Sequence, residues 1–264
     1  MSEIMGYGVC RLSVVPVRRE ARDQSEMITQ LLFGDHYKVL DESNDHKWLQ
    51  IRVYFDGYEG WIDQLQHKGI EKDYFDQINK LDLKISTEIT AGILYKKKLV
   101  HIVLGSVLPI SSTELFDLQE QFAFNGDSKN LGLKYHFEQM KQVALQYLHV
   151  PYLWGGKTPF GIDCSGFTQQ VFRISGYKLK RDACEQFTQG EKVPDLDMAN
   201  PGDLVFFKNK EGKINHVGIL LEDSKIIHAS GKVRLDFLDE KGIFNEELGK
   251  YTHDLIGLRR ILSG

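Results

Sequence analysis

The chain has 264 residues, of which 42% are hydrophobic and 27% charged, and its formal net charge is -4. This composition is ordinary for a folded globular protein and argues against a disordered chain, while the length favours more than one domain. The acidic balance provides no basic surface for a nucleic acid, and the longest apolar runs are too short to cross a bilayer. We therefore expect neither a nucleic acid nor a membrane as a partner.

The first residues contain no basic start followed by an apolar stretch of secretory length, which predicts a cytoplasmic protein. A secreted or periplasmic protein that begins after a trimmed signal would have the same sequence, and it remains the alternative. The three cysteines, Cys10, Cys164 and Cys184, are odd in number and irregular in spacing. They predict neither a disulfide framework nor a zinc site.

Residues 1–68 contain short strand-like runs separated by turns that are rich in Asp, Asn and Gly. Such runs at intervals of about 8 to 12 residues are typical of a small antiparallel barrel. We predict one barrel here, with Trp48 and Trp61 in its core or in a groove.

Residues 69–133 begin with the helix-tolerant bridge GIEKDYFDQINKL and continue with a second set of strand-like runs. These runs are LDLKIST, AGILYKKK, LVHIVLGSVLPI and DLQEQFAFNG. They predict a linker followed by a second small barrel. The clustered lysines Lys96, Lys97 and Lys98 are interpreted as a solvated strand end or turn.

The hydrophobic period changes to that of a helix near Gly132, where a third domain begins that covers residues 134–264. The first predicted helix ends before Pro151 and carries apolar residues at helical spacing, namely Phe137, Met140, Val143, Ala144, Tyr147 and Leu148. A glycine-containing loop, a second helix and the strands DLVFFK, HVGILLE, KIIHAS and IGLRRIL follow. Helices that precede strands in this way favour an α+β domain with an antiparallel sheet.

Cys164 lies at the predicted start of the second helix of this domain. Asp163 is a suitable N-cap residue, and Gly176 provides a stop after an apolar face formed by Cys164, Phe167, Val171 and Phe172. Unpaired backbone N–H groups and the helix dipole favour a thiolate at such a position, which suits a nucleophile. The alternative is that Cys164 is a small buried hydrophobic residue.

Two histidines in neighbouring strand-like runs provide a base for such a nucleophile. If a turn centres on Asp223, Gly218 lies opposite His228, and His216 and His228 project from the same face as diagonal neighbours. His228 can then orient the ring of His216. The alternatives are that each histidine is an ordinary satisfied residue, or that they bind a metal, although the set lacks the carboxylate or second cysteine that zinc usually requires.

Four segments together resemble the NlpC-type cell-wall peptidases, which have a papain-like fold. They are PYLWGGKTPFGIDCSGF at 151–167, PGDLVFF at 201–207, NHVGI at 215–219 and the IIHAS strand, and the resemblance covers about residues 135–264. It implies that Cys164 is the nucleophile, His216 the general base and acid, and His228 the third, orienting member, with no metal or organic cofactor. It also implies that Tyr152 lies near the oxyanion, where the alternative is a core tyrosine.

Barrels ahead of such a domain resemble the SH3-like barrels of one branch of this family, the γ-D-glutamyl-L-diamino acid endopeptidases, or dipeptidyl-peptidases VI. This implies an α+β catalytic domain preceded by one or two SH3-like barrels. It also implies a murein tripeptide or tetrapeptide substrate with a free N-terminal alanine, the release of L-Ala-γ-D-Glu, and a role in recycling cell-wall peptides. The implied substrate-binding residues are Asp163, Ser165, Trp154, Arg181, Asp182, Glu26 and Tyr58.

Several alternatives remain open at this stage. Glu26 and Tyr58 are implied to bind the substrate ammonium group, but they also suit a surface glutamate and a groove tyrosine. Arg181 and Asp182 bind substrate or pair with each other, and Cys184 is interpreted as a packing residue. A secreted endopeptidase that acts on intact peptidoglycan, a catalytically inactive wall-binding protein and a transferase are the alternative functions. The sequence leaves open whether the diamino acid is lysine or diaminopimelate.

Overall fold

The computed structural model describes residues 4–109 and 122–262. The chain divides into two compact units, Met1–Leu133 and Lys134–Gly264. Residue 110 of the predicted run LVHIVLGSVLPI and residues 117–121 of DLQEQFAFNG lie outside the described residues. Within the described ranges, no helix combines the length and apolar character that are needed to cross a membrane.

The first half of the N-terminal unit is an antiparallel sheet of short strands, as the sequence predicts. Its strands are β1 (Gly6–Val9), β2 (Val14–Arg18), β3 (Met27–Leu32), β4 (His36–Glu42), β5 (Trp48–Val53), β6 (Glu59–Asp63) and β7 (Gly69–Ile70). They are ordered β3-β2-β6-β5-β4-β1-β7 in the sheet. The predicted run VCRLSVVPV is divided between β1 and β2. Trp48 is buried and Trp61 is half-buried, so Trp48 contributes to the core as predicted.

The second half of this unit begins with the helix α1 (Lys72–Ile78), where the sequence indicates a helix-tolerant bridge. The described strands that follow are β8 (Lys84–Ser86), β9 (Thr90–Tyr95), β10 (Lys98–Val103), β11 (Val107–Leu108), β12 (Phe122–Phe124) and β13 (Ser128–Asn130). They form two three-stranded sheets, ordered β10-β9-β12 and β11-β8-β13. Lys96 and Lys97 both have positive φ and form the tight turn between β9 and β10, in agreement with the predicted turn.

A hydrophobic cluster joins the two halves of the N-terminal unit. Phe33, which follows β3, packs with Ile93, Ile102 and Phe122 of the second half. The guanidinium group of Arg11 lies 4.8 Å from the ring centroid of Phe122. The two halves therefore share buried side chains within one unit.

The C-terminal unit combines helices with a large antiparallel sheet. Its elements are α2 (Phe137–Leu145), β14 (Lys157–Thr158), β15 (Gly161–Ile162), α3 (Cys164–Ile174), α4 (Ala183–Gln186), β16 (Glu191–Val193), β17 (Leu204–Lys208), β18 (Ile214–Leu220), β19 (Lys225–Ser230), β20 (Lys232–Asp239), β21 (Gly242–Asn245) and β22 (Lys250–Arg260). The large sheet is ordered β16-β22-β17-β18-β19-β20-β21. The α+β class and the antiparallel strands are confirmed.

The large sheet closes on itself, which the sequence analysis did not predict. Strand β21 pairs with β22 as well as with β20, so β17 to β22 form a ring. Strands β20 and β21 were not predicted, and β22 begins at Lys250, well before the predicted run IGLRRIL. This ring is the frame that carries both histidines, while α3 carries Cys164.

Helix α3 begins and ends where the sequence predicts. It starts at Cys164, and Gly176 adopts a φ of 85° just beyond its end, which a residue without a Cβ tolerates. Every residue of α3 is buried, polar ones included, so burial extends well beyond the predicted apolar face. Cys164 is therefore held on a rigid, fully packed element.

Candidate active site

Asp163 caps α3 as predicted and also ties the preceding loop to the helix start. One carboxylate oxygen accepts a hydrogen bond from the backbone N–H of Gly166 at 2.6 Å, and the other accepts one from Gly155 at 2.8 Å. Asp163 is 6% exposed. Both oxygens thus hold the glycine loop and the first turn of α3 together, and contact of Asp163 with a substrate stays a prediction.

Arg181 lies beneath this turn, buried and paired with Asp163. It donates hydrogen bonds to the two carboxylate oxygens at 3.0 Å and 2.6 Å, and one to Ser165 Oγ at 2.9 Å. Arg181 is 1% exposed and Ser165 is 7% exposed. Two-point pairing of this kind is geometrically specific, so Arg181 and Ser165 help to fix the helix start. Their roles in binding substrate stay predictions.

The thiol of Cys164 faces the strand that carries His216. Its Sγ lies 4.0 Å from the carbonyl oxygen of Asn215, and the backbone N–H of Val217 also lies against the sulfur. These two backbone groups flank His216 in β18. The structure therefore brings together the head of α3 and the histidine strand.

The pKa of the Cys164 thiol is raised to about 12, chiefly by burial and to a smaller extent by the nearby Asp163 carboxylate. The backbone N–H groups of Val217 and Ser165 and the Arg181 guanidinium act in the opposite direction. The backbone N–H groups favour a thiolate, in the direction expected for the helix start, but desolvation outweighs them in the resting site. The thiol must instead lose its proton to a neighbouring base.

His216 and His228 are adjacent, and the predicted register between their strands is confirmed. Gly218 pairs with His228, and Asp223 and Ser224 at the turn both have positive φ. His216 Nε2 lies 2.7 Å from His228 Nδ1. Burial lowers the pKa of both imidazoles, so both rings are neutral at neutral pH. A neutral His216 has the protonation state that a general base requires.

Two further residues at this site were missed by the sequence analysis. Asp236 in β20 accepts a hydrogen bond from His228 Nε2 at 2.9 Å, and the ring of His253 in β22 stacks on His216 with 4.1 Å between centroids. Asp236 could have been identified from the sequence. A hairpin centred on Gly231 pairs His228 with Arg234, and Asp236, two residues further on, then lies on the same face as His228. His253 had no such signal, since β22 comes close to the histidine strands only by pairing with β17, which lies far from it in the sequence.

Tyr152 lies in the loop before α3, close to Cys164. Its backbone N–H donates to the carbonyl of Gly231, and burial raises the pKa of its phenol, with the nearby Cys164 thiol adding to the effect. The hydroxyl therefore keeps its proton and remains a hydrogen-bond donor. Trp154, two residues later, is 59% exposed. These positions are compatible with the oxyanion and substrate roles, which stay predictions.

The segment after α3 agrees only partly with its interpretation. Asp182 is half-buried at the N-cap position of α4, and its carbonyl accepts the N–H of Gln186. Cys184, interpreted as a packing residue, is exposed, and that interpretation is wrong. The short helix α4 turns Cys184 outward while it buries Ala183 and Gln186.

Glu26 and Tyr58, the implied ammonium-binding pair, belong to the N-terminal unit. Glu26 immediately precedes β3 and forms an ion pair with Arg19, and the backbone N–H of Tyr58 donates to Asp56 at 2.9 Å. An amine that binds Glu26 would therefore share this carboxylate with Arg19 or displace it. Recognition of an ammonium group by this pair stays a prediction.

Within residues 4–109 and 122–262, no group of three or more His, Cys, Asp or Glu side chains has an arrangement that could hold a metal ion. The site contains a thiol, a neutral imidazole linked through His228 to Asp236, and a phenol. These groups are the ones that acyl transfer through a thioester requires.

Two family models match the chain in separate segments. The model of the NlpC/P60 family matches residues 149–250, which include Cys164, His216 and His228. The model of the bacterial dipeptidyl-peptidase SH3 domain matches residues 17–65, within the first sheet. The SH3-like N-terminal region and the NlpC-type domain predicted from the sequence are thereby confirmed.

Curated relatives match across most of the chain. A γ-D-glutamyl-L-lysine dipeptidyl-peptidase of Bacillus subtilis (strain 168) is 33% identical over 220 residues, which cover 76% of this chain and 71% of the relative. Dipeptidyl-peptidase 6 of Lysinibacillus sphaericus is 27% identical over 244 residues, which cover 82% of this chain and 86% of the relative.

A crystal structure of an NlpC/P60 family protein from Bacillus cereus ATCC 10987 has the same fold. The TM-score is 0.79 at 20% sequence identity, and the match covers 96% of this chain and 99% of the other. On the sequence similarity to the Bacillus subtilis relative and the match of the family model, the chain belongs to the NlpC/P60 family of peptidases.

Proposed function

We propose that this protein is a cysteine peptidase that hydrolyses the bond between γ-D-Glu and the L-diamino acid of murein peptides with a free N-terminal L-Ala, releasing L-Ala-γ-D-Glu. The observation that carries the chemistry is the contact of the Cys164 sulfur with the strand of His216, whose Nε2 lies 2.7 Å from His228. The substrate class is supported by the match of residues 17–65 to the bacterial dipeptidyl-peptidase SH3 domain and by the similarity to curated dipeptidyl-peptidases.

In the acylation step, His216 takes the thiol proton as Cys164 Sγ attacks the side-chain carbonyl carbon of D-Glu. We expect the proton to be transferred as the sulfur attacks, because burial raises the pKa of the thiol. The oxyanion is stabilised by the Tyr152 hydroxyl and the backbone N–H of Cys164, and each donor of this kind contributes roughly 3 to 4 kcal/mol. The C–N bond breaks as His216 returns the proton to the leaving amine of the diamino acid.

In the deacylation step, a water molecule attacks the thioester carbonyl while His216 removes one of its protons. The C–S bond breaks, the sulfur regains a proton from His216, and L-Ala-γ-D-Glu leaves with a free γ-carboxylate. The cycle requires no external oxidant, reductant or metal.

The free ammonium of the terminal alanine is the feature we expect to separate this activity from the cleavage of intact peptidoglycan. An ammonium group that leaves water needs an acidic partner, since an unpaired buried charge is costly. Glu26, together with Tyr58 of the same N-terminal unit, is the proposed partner. A requirement for a free amino terminus implies peptides already released from the wall, so the proposal includes a cytoplasmic recycling role.

The test compares the protein with its Cys164→Ala variant on L-Ala-γ-D-Glu-L-Lys, on the diaminopimelate analogue and on the N-acetylated lysine peptide. Mass spectrometry should detect L-Ala-γ-D-Glu with the unmodified peptides and the intact protein only. The ratio of kcat/KM between the two unmodified peptides then establishes which diamino acid is preferred. The far-ultraviolet circular dichroism of Cys164→Ala should match that of the intact protein.

Each other outcome identifies a different function. Equal cleavage of the N-acetylated peptide supports an endopeptidase that acts on intact wall and contradicts the proposed specificity. Equal product from the intact protein and Cys164→Ala contradicts the proposed nucleophile. A folded protein that binds the peptides without cleaving them is a wall-binding protein, and products longer than the substrate identify a transferase.

A further inference from the structure

A chain of hydrogen bonds continues beyond the two histidines into the strand β20. His228 Nε2 lies 2.9 Å from Asp236 Oδ2, and Asp236 in turn accepts two hydrogen bonds from Arg234, from Nε at 2.7 Å and from Nη2 at 2.9 Å. Arg234 also donates to Glu247 at 3.0 Å. His228 and Asp236 are 1% and 5% exposed, so water does not replace these contacts.

An ionised carboxylate only accepts hydrogen bonds, and this fixes the protons of both imidazoles. His228 must carry its proton on Nε2 in order to donate to Asp236, and in the neutral ring Nδ1 is then bare. The bare Nδ1 of His228 accepts a hydrogen bond, so the Nε2 of His216 must carry a proton. His216 Nδ1 is therefore left bare, which makes it the nitrogen able to accept a proton.

Without this carboxylate, the histidine pair has two arrangements of its protons. His228 can then carry its proton on Nδ1 and donate to His216 Nε2, and a neutral His216 would hold its own proton on Nδ1. In that arrangement His216 has no free Nδ1 with which to remove a proton from the thiol. Two linked histidines therefore do not determine by themselves which nitrogen is the base. A charged acceptor at the end of the hydrogen-bond series determines it.

We propose that Asp236 is a positioning residue that holds His228 and His216 in the tautomers required for His216 Nδ1 to act as the base. This inference rests on the proposed function, because it assigns a part in the same proton transfer. Asp236 does not contact the reacting atoms and acts through His228.

The charged groups around Asp236 keep it ionised. Burial by itself raises the pKa of Asp236, but the hydrogen bonds from His228 and Arg234 outweigh this and lower it. The titratable groups that surround this series of hydrogen bonds are Arg234, Glu247, His253, Cys164 and Lys232. Lys232 pairs with Glu247 at 3.6 Å. Arg234 and Lys232 provide positive charge that balances Asp236 and Glu247.

The chain contains a matched control for the loss of a buried carboxylate. Asp203 is 2% exposed in its side chain and accepts hydrogen bonds from Arg260 Nε at 2.9 Å and Nη2 at 2.7 Å. It belongs to the same unit as Asp236 and has the same pattern of arginine pairing, but the contacts that it makes are with Arg260 and the backbone N–H of Asn200. Asp203→Asn therefore reproduces the structural cost without a contact to His228.

The experiment compares the intact protein, Asp236→Asn and Asp203→Asn by steady-state kinetics, by thermal unfolding and by nitrogen-15 NMR of the histidine rings. In the intact protein we expect both His216 and His228 to show protonated Nε2 and bare Nδ1. Asp236→Asn should show a mixture of tautomers, a kcat reduced about 10- to 100-fold with little change in KM, and an acid limb of kcat/KM moved to lower pH. The pKa of the imidazole falls because the amide of Asn no longer stabilises the imidazolium as the carboxylate does. In Asp203→Asn, the tautomers of both histidines and the acid limb of the pH profile of kcat/KM should be unchanged.

Several results would overturn the inference. A protonated Nδ1 on His228 in the intact protein contradicts it without any variant, so a failure of Asp236→Asn to fold does not remove the test. An Asp236→Asn protein with unchanged tautomers, or with a loss of kcat equal to that of Asp203→Asn, assigns Asp236 a purely structural role. If the intact protein cleaves no murein peptide, the proposed function fails, while the tautomer measurement still decides the role of Asp236.

Discussion

Arg181 and Asp163 form a two-point ion pair under the first turn of α3, with both partners almost completely removed from water. The same carboxylate accepts the backbone N–H groups of Gly155 and Gly166, so one arginine supports both the glycine loop and the helix start. The position of Cys164 thus depends on a residue that follows it by 17 positions in the sequence.

Replacing Arg181 with methionine should strongly destabilise the C-terminal unit. Asp163 would keep its backbone donors but lose its charged partner, and breaking a buried pair by removing one side costs about 3 to 5 kcal/mol. The free energy of unfolding from urea titration measures this cost. Lys141→Met is the matched control in the same unit, because the Lys141–Glu222 pair is partly exposed and its loss should cost much less. Equal effects of the two variants would contradict the proposed support.

Gly166 cannot carry a side chain without moving the loop before α3. A Cβ at this position would lie 2.3 Å from the carbonyl oxygen of Gly156. We expect Gly166→Ala to lower the free energy of unfolding by roughly 1 to 3 kcal/mol and to reduce kcat, since Cys164 moves with the helix start. Gly132→Ala is the control, because a Cβ there meets no atom within 4 Å. A Gly166→Ala enzyme with unchanged kcat would show that the loop adapts without cost.

Tyr152→Phe should reduce kcat about 100- to 1,000-fold, the usual effect of removing one oxyanion donor. The KM should change little, because the hydroxyl is proposed to act on charge that develops only in the transition state. Steady-state kinetics on L-Ala-γ-D-Glu-L-Lys and thermal unfolding of the variant provide the measurement and its folding control. A kcat within twofold of the original would leave Tyr152 as a packing residue.

His253 should make the stability of the protein depend on pH. Burial lowers its pKa from 6.5 to about 4, so between these values the unfolded chain binds more protons than the folded one. Stability is then complete above about pH 6.5 and falls as the pH decreases towards 4, by at most about 3 kcal/mol for a shift of this size. The depressed pKa values of His216 and His228 act in the same direction.

His253→Gln tests that contribution by removing the titrating group while it retains a polar side chain. The difference in unfolding free energy between pH 7 and pH 4 should be smaller in the variant than in the original protein. Denaturant titrations at several pH values measure this difference. If the two proteins show the same dependence, His253 titrates alike in the folded and unfolded chains and does not pack against His216 as described.

The sequence by itself determined the features that depend on near neighbours. The N-cap at Asp163, the helix stop at Gly176 and the pairing of Gly218 with His228 follow from local hydrogen bonds and from the two-residue period of a hairpin. The same reasoning, applied once more around Gly231, identifies Asp236. These relations need no knowledge of distant parts of the chain.

The tertiary structure alone decided the electrostatics of the site. The pKa of Cys164 rises because the packed ring and α3 remove its sulfur from water, and desolvation is a property of everything that surrounds an atom. The pairing of Arg181 with Asp163 and the stacking of His253 on His216 join residues far apart in the sequence. Periodicity and capping signals carry no information about such contacts, because the contacts arise only when segments distant in the sequence pack together.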